Sequence, residues 1–84
     1  MQNESQYRIF LLIQYLFDRT DEDHYASVSD ILRLWESKGI QAGRKSVYHD
    51  IQLLIDCGLD VICLKSTQNR YFIGSRLFEL PELK

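Results

Sequence analysis

The apolar period of this chain changes once, at Gly58, and that change decides most of what the chain can fold into. Before it, Gly43-Arg44-Lys45-Ser46-Val47-Tyr48-His49-Asp50-Ile51-Gln52-Leu53-Leu54-Ile55-Asp56-Cys57 repeats its apolar residues at helical spacing. At an advance of about 100° per residue, Val47, Ile51 and Leu54 gather in one narrow arc, with Ile55 at its edge. Lys45, His49 and Gln52 fall on the opposite side, flanked by Tyr48 and Ser46. After Gly58, residues 59–65 and 70–73 are rich in β-formers. They flank Ser66-Thr67-Gln68-Asn69, which has turn composition, and Gly74 closes the second run. A helix that passes straight into a β-hairpin, in a chain of 84 residues, implies one domain with little room for a second core.

Two more helices precede the change. Residues 5–19 carry a core stripe of Ile9, Leu12, Ile13 and Leu16, with Phe10 and Phe17 at its edge. Tyr7, Leu11 and Tyr15 recur at i, i+4 and i+8 and form a second apolar stripe. Two occupants fit that stripe: the C-terminal segment of the chain, or a dimer or interdomain partner. Residues 18–25 are polar and acidic and read as a solvated loop. Ser27-Val28-Ser29-Asp30 has the form of a capping box and starts a helix. In it Val28, Ile31, Leu32 and Trp35 face inward, while Ser29, Arg33 and Glu36 face outward. Gly39 supplies its stop, and Gly43 stands where the N-cap of the following helix belongs.

Two helices joined by a short Gly-containing connection make a helix-turn-helix pattern, and a hairpin directly after it makes a wing. The expected fold class is therefore α+β and mostly helical: a three-helix helix-turn-helix core followed by a two-stranded β-hairpin wing. The outer face of helix 43–57 offers Lys, His, Gln, Ser and Tyr, the residue types that meet phosphates and base edges in a major groove. Its basic groups lie in the first turns, where the helix dipole is positive. Lys65 and Arg70 flank the wing tip, and wings with basic flanks lie along phosphate or the minor groove.

A formal charge of −2 and a pI of about 5.6 exclude a general basic coat, but counterion release needs only a local basic patch. Cys57 and Cys63 form no CxxC pattern, and neither His24 nor His49 has metal-ligand spacing. Two reduced, partly buried thiols and no metal are expected. No nucleophile elbow or Gly-rich phosphate loop is present, so neither an enzyme nor a cofactor is expected. Met1-Gln2-Asn3-Glu4-Ser5 has no basic n-region, and the run from Ile9 to Ile13 is too short to span a membrane. The expectation is a cytoplasmic chain.

Arg44-Lys45-Ser46-Val47-Tyr48-His49-Asp50-Ile51, then Leu54 and Cys57-Gly58-Leu59-Asp60-Val61, resembles the recognition-helix signature of the winged-helix domain of bacterial WYL-domain transcriptional regulators. Arg76-Leu77-Phe78-Glu79-Leu80-Pro81-Glu82-Leu83 is similar to the segment after that family's wing, where a linker helix leads to an effector-sensing domain. The resemblance covers most of the chain from Ser27 onward. It implies a DeoR-like winged helix-turn-helix at 1–75 that binds promoter DNA, with 76–84 starting a linker to a C-terminal domain that these residues do not include. It also implies a possible homodimer in the full-length protein. His49 stands where the family commonly has Arg, and Gly43 replaces its usual Ser or Asp cap.

The resulting expectation is sequence-specific binding of double-stranded DNA, with helix 43–57 in the major groove and wing 64–72 on the backbone. Lys45, Ser46, His49 and Gln52 would face bases. Arg44, Tyr48, Lys65, Arg70 and the helix start at Ser27 and Ser29 would hold phosphates. The competing expectation is a protein–protein or dimerisation module that docks through Tyr7, Leu11 and Tyr15.

Overall fold

In the computed structural model, which describes residues 4–65, 67 and 69–75, helix α1 (Glu4–Arg19) lies across two further helices and a small sheet. The chain continues through β1 (Ala26–Ser27), α2 (Val28–Ser37), α3 (Arg44–Asp56), β2 (Asp60–Leu64) and β3 (Arg70–Ser75). The fold is α+β, with the helices followed by a β-hairpin. Ser66, Gln68 and the expected linker start at 76–84 lie outside the described residues. Among the described residues no helix is long and apolar enough to cross a membrane.

Local signals set the helix boundaries. Ser27 Oγ accepts from the Asp30 backbone N–H at 3.1 Å, and the Ser27 N–H donates to Asp30 Oδ2 at 3.0 Å. This is the reciprocal capping box, with Asp serving where Glu is usual. Helix α2 ends at Gly39, whose φ of +82° suits a residue without Cβ. There the Gly39 N–H donates to Glu36 O, and the Ile40 N–H to Trp35 O. Helix α3 ends in the same way: Gly58 donates to Ile55 O and Leu59 to Leu54 O. Both are Schellman closures, and each turns an apolar residue, Ile40 or Leu59, back toward the helix it ends.

The sheet has one strand more than the hairpin visible in sequence. Its order is β1-β3-β2, all antiparallel. β2 and β3 pair Val61 with Ile73, Ile62 with Phe72, Cys63 with Tyr71 and Leu64 with Arg70, with a register shift between Asp60 and Val61. β1 adds only Ala26 opposite Tyr71 and Ser27 opposite Arg70. Two residues carry no readable period-2 pattern, which is why the sequence shows Ser27 only as a helix start and no strand before it. The loop before them is also more ordered than its acidic composition suggests. Asp21 and His24 form a bridge. Thr20 is buried; its hydroxyl donates to Leu16 O at 2.6 Å and accepts from the Ile73 N–H at 3.1 Å. That single hydroxyl pins the end of α1 to β3.

The core joins all three helices and the sheet. Leu12, Leu16, Val28, Ile31, Trp35, Val47, Ile51, Leu54, Val61, Tyr71 and Ile73 are buried together. Burying such side chains contributes about 1.5–3 kcal/mol each before entropy is set against it. Helix α1 turns slightly from the expected stripe. Leu11 is buried, Ile9 and Ile13 are only half-buried, and Phe10 is 61% exposed. Along the stripe of Tyr7, Leu11 and Tyr15, Leu11 is buried and the two tyrosines are half-buried. Leu11 and Tyr15 border a shallow depression shared with Leu34 and Lys38 of α2. Burial raises the Tyr15 hydroxyl pKa, and Asp30 of α2 raises it further. Leu34 of α2 lies beside Leu11 and Tyr15 in this stripe.

The three helices also meet at a polar node inside the core. Asp50 of α3 is fully buried and takes a two-point fork from Arg8 of α1: Nε to Oδ2 at 2.6 Å and Nη2 to Oδ1 at 3.0 Å. The guanidinium lies 5.4 Å from the ring centre of Trp35 of α2. The Trp35 Nε1–H donates back to Arg8 O at 3.1 Å. The hydrogen bond and charge of Asp50 raise the Arg8 pKa against its partial burial. A two-point guanidinium–carboxylate fork fixes direction as well as distance, so the node sets how α3 is rotated about its own axis.

Candidate nucleic-acid interface

Helix α3 divides cleanly around that node. Val47, Asp50, Ile51 and Leu54 are buried. Arg44, Lys45, Tyr48, His49 and Gln52 are exposed, and Ser46 is half-buried. The face expected to meet nucleic acid is thus on the surface, on a helix whose opposite face is locked. No acidic residue occupies its first turn, and its N-cap Gly43 provides no side-chain hydrogen bond. Cationic side chains and the positive end of the helix dipole therefore coincide. Toward the other end, Gln52 Nε2 donates to Asp56 Oδ1 at 3.0 Å, which leaves its amide oxygen and its second amide hydrogen.

Tyr48 stands beside the sheet. Burial is the main cause that raises the Tyr71 hydroxyl pKa; Asn69 opposes it through a hydrogen bond, and the charges of Cys63 and Tyr48 add to it. Tyr48 is thus close enough to Tyr71 of β3 for the two hydroxyls to influence each other. Lys65 is exposed one residue beyond the last strand pair, Leu64 with Arg70. Arg70 is also exposed, and on its other side it faces Ser27 across the β1–β3 pair. The short third strand therefore gathers the tip-side end of the wing and the start of α2 in one place. Ser27 Oγ already accepts a hydrogen bond as the cap, so its hydroxyl hydrogen is what it can offer outward. Ser29 is exposed one turn position further on.

Sequence reasoning overlooked Asp50. It lies three residues from Val47 and four from Leu54, on the border of the apolar arc. A carboxylate there, with an Arg on α1 to meet it, was the available signal. His49 is drawn into the same node: its ring is 74% exposed, and Nδ1 lies 3.3 Å from Asp50 Oδ1. Cys57 is exposed rather than partly buried, because it sits in the C-cap turn of α3; Cys63 is half-buried. Among the described residues, no three His, Cys, Asp or Glu side chains group as a metal site.

A second surface was also overlooked. Ile9, Ile13 and Phe17 of α1 and Leu53, Leu54, Cys57 and Leu59 line a groove of about 460 Å³ with no polar lining. It lies on the other flank of α1 from Tyr7, Leu11 and Tyr15. Leu53 sits on the polar half of the helical projection of α3, which hid it from a single-stripe reading. No family model matches this chain, and neither does any curated protein or solved structure.

Proposed function

We propose that this chain binds double-stranded DNA sequence-specifically, as the winged helix-turn-helix part of a bacterial transcriptional regulator of the WYL-domain kind, acting in the cytoplasm on the nucleoid. The observation that carries the reading is the division of α3. One face is locked by Asp50, Val47, Ile51 and Leu54, and the other exposes Arg44, Lys45, Tyr48, His49 and Gln52. A helix about to enter a major groove must present donors and acceptors from a fixed orientation, since base edges are read by direction as well as distance. Arg70 and Lys65 on the wing, with Ser27 and Ser29 beside them, supply the phosphate contacts that set register. The reading calls for no catalysis, cofactor or metal.

Selection of bound duplexes from a random pool, followed by fluorescence anisotropy, tests it. Affinity should fall steeply with salt. Lys45→Ala should weaken binding of the selected site by about 1–3 kcal/mol, or about five- to 150-fold. If the parent selects no sequence, or Lys45→Ala binds like the parent, the reading fails.

One observation favours a second reading, a homodimer contact. The groove between α1 and α3 is wholly apolar. Sedimentation velocity over a range of concentrations checks it. Self-association that disappears in Leu53→Glu supports the contact, and a concentration-independent monomer removes it.

A further inference from the structure

We infer that Asp50 sets the tautomer of His49 and thereby makes His49 a hydrogen-bond acceptor toward a base edge; this deepens the DNA-binding reading and rests on it. The side chain of Asp50 is fully buried, and Arg8 holds both of its oxygens in a fork. A carboxylate in such a fork only accepts. Oδ1 keeps a second lone pair, and His49 Nδ1 faces it at 3.3 Å. The proton between them must come from the ring, so Nδ1 carries it. In a neutral imidazole one nitrogen donates and the other accepts. Nε2 is then bare, on a ring that is 74% exposed on the same face as Lys45 and Gln52.

A bare Nε2 complements a donor. In the major groove the donors are the N6 amino group of adenine and the N4 amino group of cytosine, whereas guanine and thymine offer acceptors at the same edge. His49 therefore selects adenine or cytosine at the base it meets. The cations Arg44 and Lys45 suit guanine and phosphate instead. Asp50 acts here as a positioning residue: it touches no base, but it determines which nitrogen of His49 can.

Two measurements test the inference. The chain has two histidines, and Nδ1 of the other, His24, also lies 2.8 Å from a carboxylate oxygen, of Asp21. His24→Gln therefore leaves one unambiguous ring. Long-range proton–nitrogen correlation at about pH 8.5, above the usual histidine range, should show a protonated Nδ1 and an unprotonated Nε2. A protonated Nε2, or an even mixture, overturns the inference without reference to DNA. In random-pool selection, His49→Ala should lose an adenine or cytosine preference at one position, with about a fivefold loss of affinity. His49→Arg should replace that preference with guanine. Unchanged preferences at every position in His49→Ala overturn the base-reading role. If the parent selects no duplex, the DNA-binding reading and the acceptor role fall together, while the NMR result still decides the tautomer.

Discussion

Replacing Arg8 with Met should remove a large part of the stability of this domain. Arg8 is 17% exposed and Asp50 is fully buried, so the pair is desolvated on one side and nearly so on the other. Methionine keeps most of the apolar stem against Trp35 and removes the charge and both fork hydrogen bonds. What remains is a buried carboxylate whose other side-chain partner is His49 Nδ1, at 3.3 Å. Breaking a buried ion pair from one side costs about 3–5 kcal/mol, because the surviving charge is left uncompensated. At about 0.05–0.15 kcal/mol per residue, a chain of 84 residues holds about 4–13 kcal/mol in total. The expected melting point therefore drops by about 15–30 °C. The paired replacement Arg8→Met with Asp50→Leu removes both charges and should recover most of the loss, to within about 1–2 kcal/mol of the parent. Urea unfolding followed by far-ultraviolet circular dichroism, fitted with a common slope, measures both. Asp50 raises the Arg8 pKa above its ordinary value, so the guanidinium keeps its charge throughout the neutral range and the result should not change between about pH 6 and 9. An Arg8→Met cost below about 1 kcal/mol would refute the reasoning, since that is the magnitude of an exposed pair. A double replacement as unstable as the single one would refute it equally.

Ser27→Ala should cost about 1 kcal/mol in the same assay, since it removes the acceptor half of the capping box; a cost near zero would show that β1 pairing alone holds this helix start. Gly43→Ser should raise stability by about 0.5 kcal/mol: the N-cap has an extended φ of −116°, nothing lies within 4 Å of a Cβ there, and serine adds the missing cap. A loss instead would mean that the turn needs glycine. The exposed pair of His24 and Asp21 should act between about pH 3.8 and 6.5. The hydrogen bond to Asp21 raises the His24 pKa above its ordinary 6.5, so that contribution is full below 6.5 and is lost as pH rises through the raised value. The same bond lowers Asp21 below its ordinary 3.8, so its contribution is full above 3.8 and is lost as pH falls through the lowered value. In an NMR titration Asp21→Asn should return the His24 midpoint to the ordinary value; an unmoved midpoint would disprove the coupling.

The helices and the hairpin were legible because each has a period and a terminator of its own. Gly39 and Gly58 mark two Schellman ends, Ser27 and Asp30 mark a start, and two runs of β-formers follow Gly58 on either side of a turn. The outer face of α3 was legible for the same reason: Lys45, His49 and Gln52 lie opposite Val47 and Ile51. What escaped depends on partners distant in sequence. Ala26 and Ser27 become a strand only because β3 arrives beside them, and Thr20 is buried only because it meets Ile73, 53 residues away. Asp50 lies 42 residues from Arg8, and no local pattern says that a charged position will be buried. The second stripe of α1 was legible as apolar, but periodicity cannot say which neighbour lies beside it; Leu34 of α2 stands next to Leu11 and Tyr15.

The node gives the reading face a dependence that a surface helix would not have. The rotation of α3 rests on the Arg8–Asp50 fork, and His49, next to Asp50 in the chain, shares one oxygen of that fork. A change at Arg8 therefore acts at two levels. It weakens the packing of all three helices, and it leaves Asp50 with the histidine ring as its nearest cation-forming neighbour. On the proposed DNA-binding reading, stability and base preference would be linked through one buried carboxylate, although Arg8 itself lies on a different helix from every residue proposed to touch DNA. The exposed cations behave otherwise. Arg44, Lys45, Lys65 and Arg70 have no part in the node, so replacing them should alter affinity and its salt dependence while leaving the unfolding curve within about 0.5 kcal/mol of the parent. The Arg8→Met with Asp50→Leu protein separates the two levels. It restores packing without restoring the acceptor for His49 Nδ1, so it should fold and bind duplex while losing the discrimination at the base His49 meets.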